Sequence, residues 1–304
     1  MRALRVEPVS TVLDPDSADL TLLQDRQVAV LGYDAVAEAH ALNLRDSGVD
    51  VWVGTDPDSR RAASAEMEGL NVARPEEAVH HCDIVLVPEA DDGSAAPGAM
   101  DTADLQRLLD EHTEPGDLVI VTSGAQVLPG ALSVPEGVDL AMLRAVGDGH
   151  RIRDEYLDGR GCPALVAVAR DGSGAAWATL TAYAAAMGSL RSGAIVTTVE
   201  HQATALELAD ERVHTPLRKA VEAAFEELVR RGVEEEVAYL AVVHDLLTRV
   251  DQINGAGFAS QYGPAGQPLG DALQEPSSRR AAARAAHPLE HVGRRVRAMM
   301  SWIR

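Results

Sequence analysis

The sequence predicts an α/β protein in which a doubly wound parallel sheet is followed by an all-helical second domain. In the first half, short β-branched runs alternate with helical patterns, which is typical of right-handed βαβ crossovers. From about Thr197 the strand-like runs stop, and apolar residues recur at helical spacing. The chain has 304 residues, of which 46% are hydrophobic, and this is enough for two ordinary domains. We expect these domains to cover residues 1–196 and 197–304.

The predicted elements follow from these patterns in chain order. Strands are expected at 27–31, 50–53, 84–87 and 117–121, with helices at 34–47, 59–70, 76–81 and 102–112. In the second half, helices are expected at 205–213, 216–231, 234–253 and 288–303. Thr215-Pro216 supplies an N-cap hydroxyl and a proline at the first helical position, a common way for a helix to begin.

The charge balance excludes two classes of partner. Asp and Glu number 47 against 27 Lys and Arg, which gives a formal net charge of −20. A surface of that sign repels nucleic acid and anionic lipid, so we expect neither as a partner. No run approaches the ~18 apolar residues of a membrane span, and the N-terminus lacks the pattern of a signal peptide. Cys82 and Cys162 show no CxxC spacing, which indicates a reducing compartment and predicts a cytoplasmic protein.

The turn after the first strand departs from a dinucleotide-binding turn. Such a turn uses glycines so that the pyrophosphate can approach the backbone at the helix N-terminus. Here Gly32 fills the first glycine position, Asp34 the second and Ala37 the third. A carboxylate ~4 Å from a phosphate charge costs about 4 kcal/mol at an effective dielectric constant near 20. Alternatively, Asp34 simply caps the following helix, and that reading also predicts an impaired dinucleotide site.

Four segments, in order, carry a resemblance to a known family. They are RQVAVLGYDAVAEAHALNLRDSGVDVWVG (26–54), GHRIRDEYLDGRGCPALVAV (149–168), EEVAYLAVVHDLLTRVDQI (235–253) and HPLEHVGRRVRAMMSWI (287–303). They resemble the ketol-acid reductoisomerases, which use NADPH and magnesium in branched-chain amino acid synthesis. The resemblance implies a Rossmann domain, then a knotted helical domain like that of 6-phosphogluconate dehydrogenase, and a homodimer.

The resemblance also locates the family's magnesium ligands, which are carboxylates one helical turn apart on two helices. On the second helix, Ala241 and Asp245 match the ligand positions, so one carboxylate is missing. On the first helix, ungapped matching places Leu206 and Asp210 there, whereas a shift of one residue places Glu207 and Glu211 there. The sequence leaves both registers open, and we expect no metal site.

Other functional positions of the family are also changed. The resemblance places Ser123 where the family has a histidine, and Val146 where it has its active-site lysine. After the second strand, Asp56 replaces an arginine among the residues that read the NADPH 2′-phosphate. The expected remnants of the cofactor site are Gly32, Asp34, Ser59 and Arg61. The candidate catalytic residues are Asp245, His244, Glu207, Glu211, Asp210, Ser123, His150 and Tyr262, with His244-Asp245 as a possible acid–base pair.

These departures fall on ligand positions, whereas the segments that pack the fold are kept. We therefore expect a reductoisomerase-like protein that has lost hydride transfer and the two-magnesium site. The favoured hypothesis is a cofactor-independent isomerase or cyclase that acts on a small hydrophobic intermediate in bacterial specialised metabolism. The alternatives are an NAD- or NADP-dependent reductase with a changed substrate, and a non-catalytic binding or regulatory homologue.

Overall fold

The computed structural model describes residues 11–89, 100–129 and 131–251. Compact packing divides the chain into two units, Met1–Ala209 and Asp210–Arg304. The division comes later than the expected boundary at 196/197 because helix Val199–Ala209 packs on the first unit. Tyr262, the predicted helix over 288–303 and the expected knot lie outside the described residues.

The first unit is built on one eight-stranded sheet with the order β3-β2-β1-β4-β5-β6-β7-β8. The strands are β1 (Gln27–Leu31), β2 (Asp50–Gly54), β3 (Asn71–Ala73), β4 (Ile84–Val87), β5 (Leu118–Val121), β6 (Asp139–Ala145), β7 (Ala164–Arg170) and β8 (Ala194–Val196). All neighbours pair in parallel except β6 and β7, which are antiparallel. The predicted doubly wound parallel sheet is therefore confirmed.

Helices cover both faces of this sheet and give it two cores. The helices of the first unit are α1 (Ala35–Asp46), α2 (Arg60–Met67), α3 (Pro75–His81), α4 (Thr102–His112), α5 (Gly149–Leu157), α6 (Ala176–Ala186) and α7 (Val199–Ala209). Apolar residues of α1 and α6 form one core with one face of the sheet, and Ile152 of α5 joins them. Residues of α3 and α4, together with Val199 at the start of α7, form the other core.

The described part of the second unit is helical. It contains a π turn (Asp210–His214), α8 (Thr215–Arg230), α9 (Glu235–Tyr239) and a second π turn (Leu240–His244), and residues 245–251 are again helical. The helical second half that the sequence predicts is confirmed for these residues. Within the described ranges, no helix has the length and apolar character needed to cross a membrane.

The structure corrects the predicted elements in two places. Four strands that the sequence analysis did not identify complete the sheet, namely β3, β6, β7 and β8. Two of these, β3 and β8, are only three residues long, too short for a period to be recognised. The helix predicted over 205–213 begins earlier, at Val199, because Thr198 Oγ1 accepts the His201 N–H at 3.2 Å and caps it.

Candidate functional site

The turn between β1 and α1 lies at the carboxyl edge of the sheet, where open α/β sheets bind their ligands. Gly32 has a φ of +77°, a left-handed conformation that favours glycine in this tight turn. Asp34 is the N-cap of α1, and its Oδ1 accepts the Val36 N–H at 3.1 Å and the Ala37 N–H at 2.9 Å. The expected cap is therefore present.

This cap determines what the turn can bind. A dinucleotide pyrophosphate is held by the free N–H groups and the positive dipole end of the helix that follows the first strand. In this chain the Asp34 carboxylate accepts two of those N–H groups and places its own charge at that end. The residues present at this turn do not fit a pyrophosphate.

The end of β2 keeps only part of a site for the adenosine side of a cofactor. Ser59 Oγ accepts the Ala62 N–H at 3.1 Å and so caps α2. Asp56 is exposed and accepts the Asp58 N–H at 3.2 Å. The side chain of Arg61 is half-buried in the first turn of α2. A carboxylate at this strand end disfavours a 2′-phosphate, although it suits a ribose hydroxyl.

Ser123, at the end of β5, is fully buried and has a structural position. Its Oγ caps a short 3₁₀ turn, Gly124–Val127, and Gln126 Oε1 accepts the Ser123 N–H at 3.0 Å. The next residue, Gly124, donates its N–H to Gln202 Oε1 of α7 at 2.6 Å. A side chain at this glycine would lie 2.1 Å from the Val199 carbonyl oxygen, so the turn is packed closely against α7.

His150 lies exposed in the first turn of α5, whereas Ser123 is buried. Asp148 is the N-cap of this helix and accepts the Arg151 N–H at 2.8 Å. Gly149 between them packs against the first turn of α1. Val146, at the position of the family's lysine, is 49% exposed and offers no polar group.

The sequence analysis missed an ion pair at the same edge of the sheet. Arg144 Nη1 of β6 donates to Glu89 Oε2, two residues beyond β4, at 3.3 Å. The Glu89 N–H in turn donates to Thr122 Oγ1 at 2.7 Å. The sheet register explains this contact, since Val87, Val121 and Met142 are in register in adjacent strands, and Glu89, Ser123 and Arg144 each follow two residues later.

In the second unit, the carboxylates expected at the family's metal positions are exposed and paired with basic side chains. Asp210 Oδ1 lies 3.6 Å from His214 Nδ1, and Asp245 Oδ2 accepts a hydrogen bond from Arg249 at 2.9 Å. Glu211 pairs with Arg212 at 3.0 Å, and His244 is exposed.

In neither register do the ligand positions supply all four carboxylates that the family resemblance implies, because Ala241 occupies one of them. Leu206 and Ala241 supply no oxygen ligand in the ungapped register. In the shifted register, Glu207 is exposed on α7 of the first unit, and Glu211 lies within the π turn that follows it. Among the described residues, no group of three or more His, Cys, Asp or Glu side chains is arranged to hold a metal ion.

A π turn lies at the candidate ligand positions in both helical segments, after α7 and after α9. One begins at Asp210, and the other includes Ala241 and ends at His244, next to Asp245. Single π turns are rare in proteins and are found often at functional sites, because they distort regular helical hydrogen bonding. The two π turns thus overlap ligand positions that the family resemblance implies, Asp210 in one and Ala241 in the other.

The fold and the sheet edge define a Rossmann-type protein of the dinucleotide-binding class with an altered phosphate turn. Residues 22–193 match the family model of the acetohydroxy acid isomeroreductase NADPH-binding domain. The ketol-acid reductoisomerase (NADP(+)) of Beutenbergia cavernae is 38% identical over 248 residues, covering 81% of this chain and 70% of that protein. The ketol-acid reductoisomerase (NADP(+)) of Saccharopolyspora erythraea is 33% identical over 332 aligned positions, which cover 94% of this chain and 96% of that protein. The chain belongs to the ketol-acid reductoisomerase family.

Solved structures agree with this fold. An NADH-preferring ketol-acid reductoisomerase from an uncultured archaeon has a TM-score of 0.72 at 24% identity, covering 96% of this chain and 93% of that one. A semialdehyde dehydrogenase NAD-binding protein from Cupriavidus necator, solved with calcium and NAD, has a TM-score of 0.56 at 18% identity. At these identities the likeness establishes the fold alone.

Proposed function

We propose that this chain is a reductoisomerase-family protein that works without a bound dinucleotide and without the two-magnesium centre. The observation that carries the proposal is the double hydrogen bond from Val36 and Ala37 to the Asp34 carboxylate. A carboxylate in this position satisfies the N–H groups that a pyrophosphate needs and repels the pyrophosphate charge. Hydride transfer from a nicotinamide has no support at such a site.

The changed residues elsewhere support the same proposal. The family resemblance implies a lysine and two pairs of carboxylates, for which this chain has Val146 at the lysine position and Ala241 at one carboxylate position in either register. Of the candidate carboxylates, Asp210 is paired with His214 and Asp245 with Arg249.

The activity we favour is a rearrangement or ring closure of a small, largely hydrophobic intermediate in bacterial specialised metabolism. Such reactions gain much of their rate from holding one substrate conformation, so a shaped apolar site with few polar groups is sufficient. The two π turns support a function for these helices beyond packing. We expect a small-molecule substrate and a homodimer, as the family resemblance implies.

Genetic complementation tests the loss of the family's reaction. The gene is expressed in a bacterial strain that lacks ketol-acid reductoisomerase and therefore requires valine and isoleucine. The reductoisomerase of Saccharopolyspora erythraea, which aligns with 94% of this chain, serves as the positive control. We expect growth with the control and none with this chain at equal protein levels. Growth with this chain would overturn the proposal.

A further inference from the structure

We propose that Arg144 and Glu89 form a binding site for a carboxylate group, with Arg144 as the anion-binding residue and Glu89 as its internal competitor. The proposal rests on the proposed function, because it places a substrate group at a sheet edge that we infer to be free of dinucleotide. It identifies the ligand chemistry as an organic monocarboxylate. Neither residue was among the candidate site residues that the sequence suggested.

The strand geometry places both side chains on one face at the carboxyl edge. Met142 and Leu140 of β6 contribute to the core beneath α3 and α4, whereas Leu143 and Ala145 contribute to the other core. Because side chains alternate along a strand, Arg144 points to the same face as Met142. Ligands of doubly wound sheets bind at this edge.

The backbone of Glu89 is held in place, whereas the Arg144 guanidinium has few hydrogen-bond partners. Glu89 is fixed at its backbone by the 2.7 Å hydrogen bond to Thr122 Oγ1. The guanidinium of Arg144 carries five N–H donors. Within the described ranges its side chain makes one hydrogen bond, the 3.3 Å contact with Glu89, which is long for a charge-assisted bond.

Arg153, a second arginine of the same unit, provides a comparison, because its guanidinium is paired and largely buried. Arg153 donates to Asn43 Oδ1 at 2.8 Å and to Asp46 Oδ2 at 2.5 Å, and its side chain is 19% exposed. The Arg144 side chain is 32% exposed and the Glu89 side chain 38% exposed. The Arg144 guanidinium thus keeps donors and solvent access that Arg153 has lost.

The chemistry of the site favours a carboxylate. Guanidinium groups bind carboxylates through two parallel N–H···O bonds, and the planar fork of arginine matches that geometry. On a chain with a net charge of −20, an anion needs a specific cation to bind at all. A ligand carboxylate would take the donors that Glu89 leaves open, and would be opposed by the Glu89 charge.

The test is calorimetric titration with hexanoate, and with hexanamide as the uncharged analogue. We expect the wild-type chain to bind hexanoate saturably and not to bind hexanamide. Arg144→Gln should weaken hexanoate binding by about tenfold or more, as expected for loss of a charge-assisted pair. Glu89→Gln should strengthen it by about threefold or more, because the competing charge is removed.

Arg107→Gln is the matched control, since Arg107 forms an exposed ion pair with Asp104 on α4. We expect it to bind hexanoate as the wild-type chain does. The gain of affinity in Glu89→Gln requires a folded protein, so this arm stays informative if Arg144→Gln is unstable. Equal binding by the wild-type, Arg144→Gln and Glu89→Gln chains would overturn the proposal, as would the absence of saturable binding in both the wild type and Glu89→Gln. Neither result bears on NADPH binding, which tests the proposed function separately.

Discussion

The imidazole Nδ1 of His40 lies 3.0 Å from the hydroxyl oxygen of Tyr183, and both side chains are fully buried between α1 and α6. Burial lowers the pKa of His40 from 6.5 to about 4, because the charged imidazolium cannot be solvated there. The folded protein therefore requires a neutral His40. The stability that this residue contributes is present above pH 6.5 and is lost as the pH falls toward 4.

Replacing His40 tests this relationship. Over the interval from pH 6.5 to 4 the proton linkage of His40 amounts to about 3 kcal/mol. In His40→Gln the amide can still pair with the Tyr183 hydroxyl but does not titrate. We expect the free energy of unfolding in urea to fall less between pH 7 and 4.5 than in the wild type. His201→Gln, at an exposed site on α7, should keep the wild-type dependence; an unchanged His40→Gln profile would contradict the account.

Asp117, just before β5, has the opposite effect on how the stability of the fold depends on pH. Burial, with Asp83 and Glu114 nearby, raises the pKa of Asp117 from 3.8 to about 6. A raised carboxyl pKa means that the folded state binds the proton more tightly, so stability increases as the pH falls from about 6 toward 4. Asp117→Asn should raise the free energy of unfolding at pH 7 by about 1 kcal/mol after solvent screening. In Asp117→Asn the free energy of unfolding should no longer gain the contribution that Asp117 makes as the pH falls from about 6 toward 4.

Urea unfolding at pH 7 and at pH 5 measures the effect of Asp117. Asp25→Asn, at an exposed position, is the control for the change in net charge. A destabilised Asp117→Asn protein at pH 7 would show that the carboxylate makes a net favourable contribution, contrary to the account. Because His40 and Asp117 act in opposite directions over the same pH range, the variants are needed to separate them.

Gly149 allows α5 to pack against the start of α1. A Cβ added there would lie 1.9 Å from the Ala35 carbonyl oxygen and 2.1 Å from its carbon, which backbone atoms cannot accommodate without movement. We expect Gly149→Ala to destabilise the first unit by roughly 2 kcal/mol or more. At Gly147 the nearest atoms to an added Cβ belong to the Arg151 side chain, and the shortest distance is 3.3 Å, to its Cδ. Thermal unfolding should therefore show a large loss for Gly149→Ala and a small one for Gly147→Ala.

Much of the fold could be predicted from the sequence, because its central strands are strongly apolar. The strands at 27–31 and 84–87 lie where the pattern placed them, and Asp34 caps α1 as expected. The strand β6 was missed because Asp139 and Arg144 leave it only a short apolar run, residues 140–143. Without β6, the register that brings Arg144 to Glu89, a separation of 55 residues in sequence, could not be derived.

The buried position of Ser123 also could not be derived from the sequence. The alignment position suggested a catalytic role, whereas a close contact between Gly124 and α7 determines where the hydroxyl lies. That contact joins residues 124 and 199, which no local pattern relates. Local caps and periodicity are thus encoded within a few residues, and the placement of site residues depends on packing between distant segments.

Calorimetric titration with NADPH up to millimolar concentration tests the central claim most directly, with the wild type, Asp34→Gly and Asp101→Gly compared. Asp101 caps α4 by accepting the Asp104 N–H at 2.7 Å, so its variant controls for the loss of a helix cap. The account predicts no binding by the wild type or Asp101→Gly, and measurable binding by Asp34→Gly, whose N–H groups are released. Micromolar binding of NADPH by the wild-type chain would contradict it.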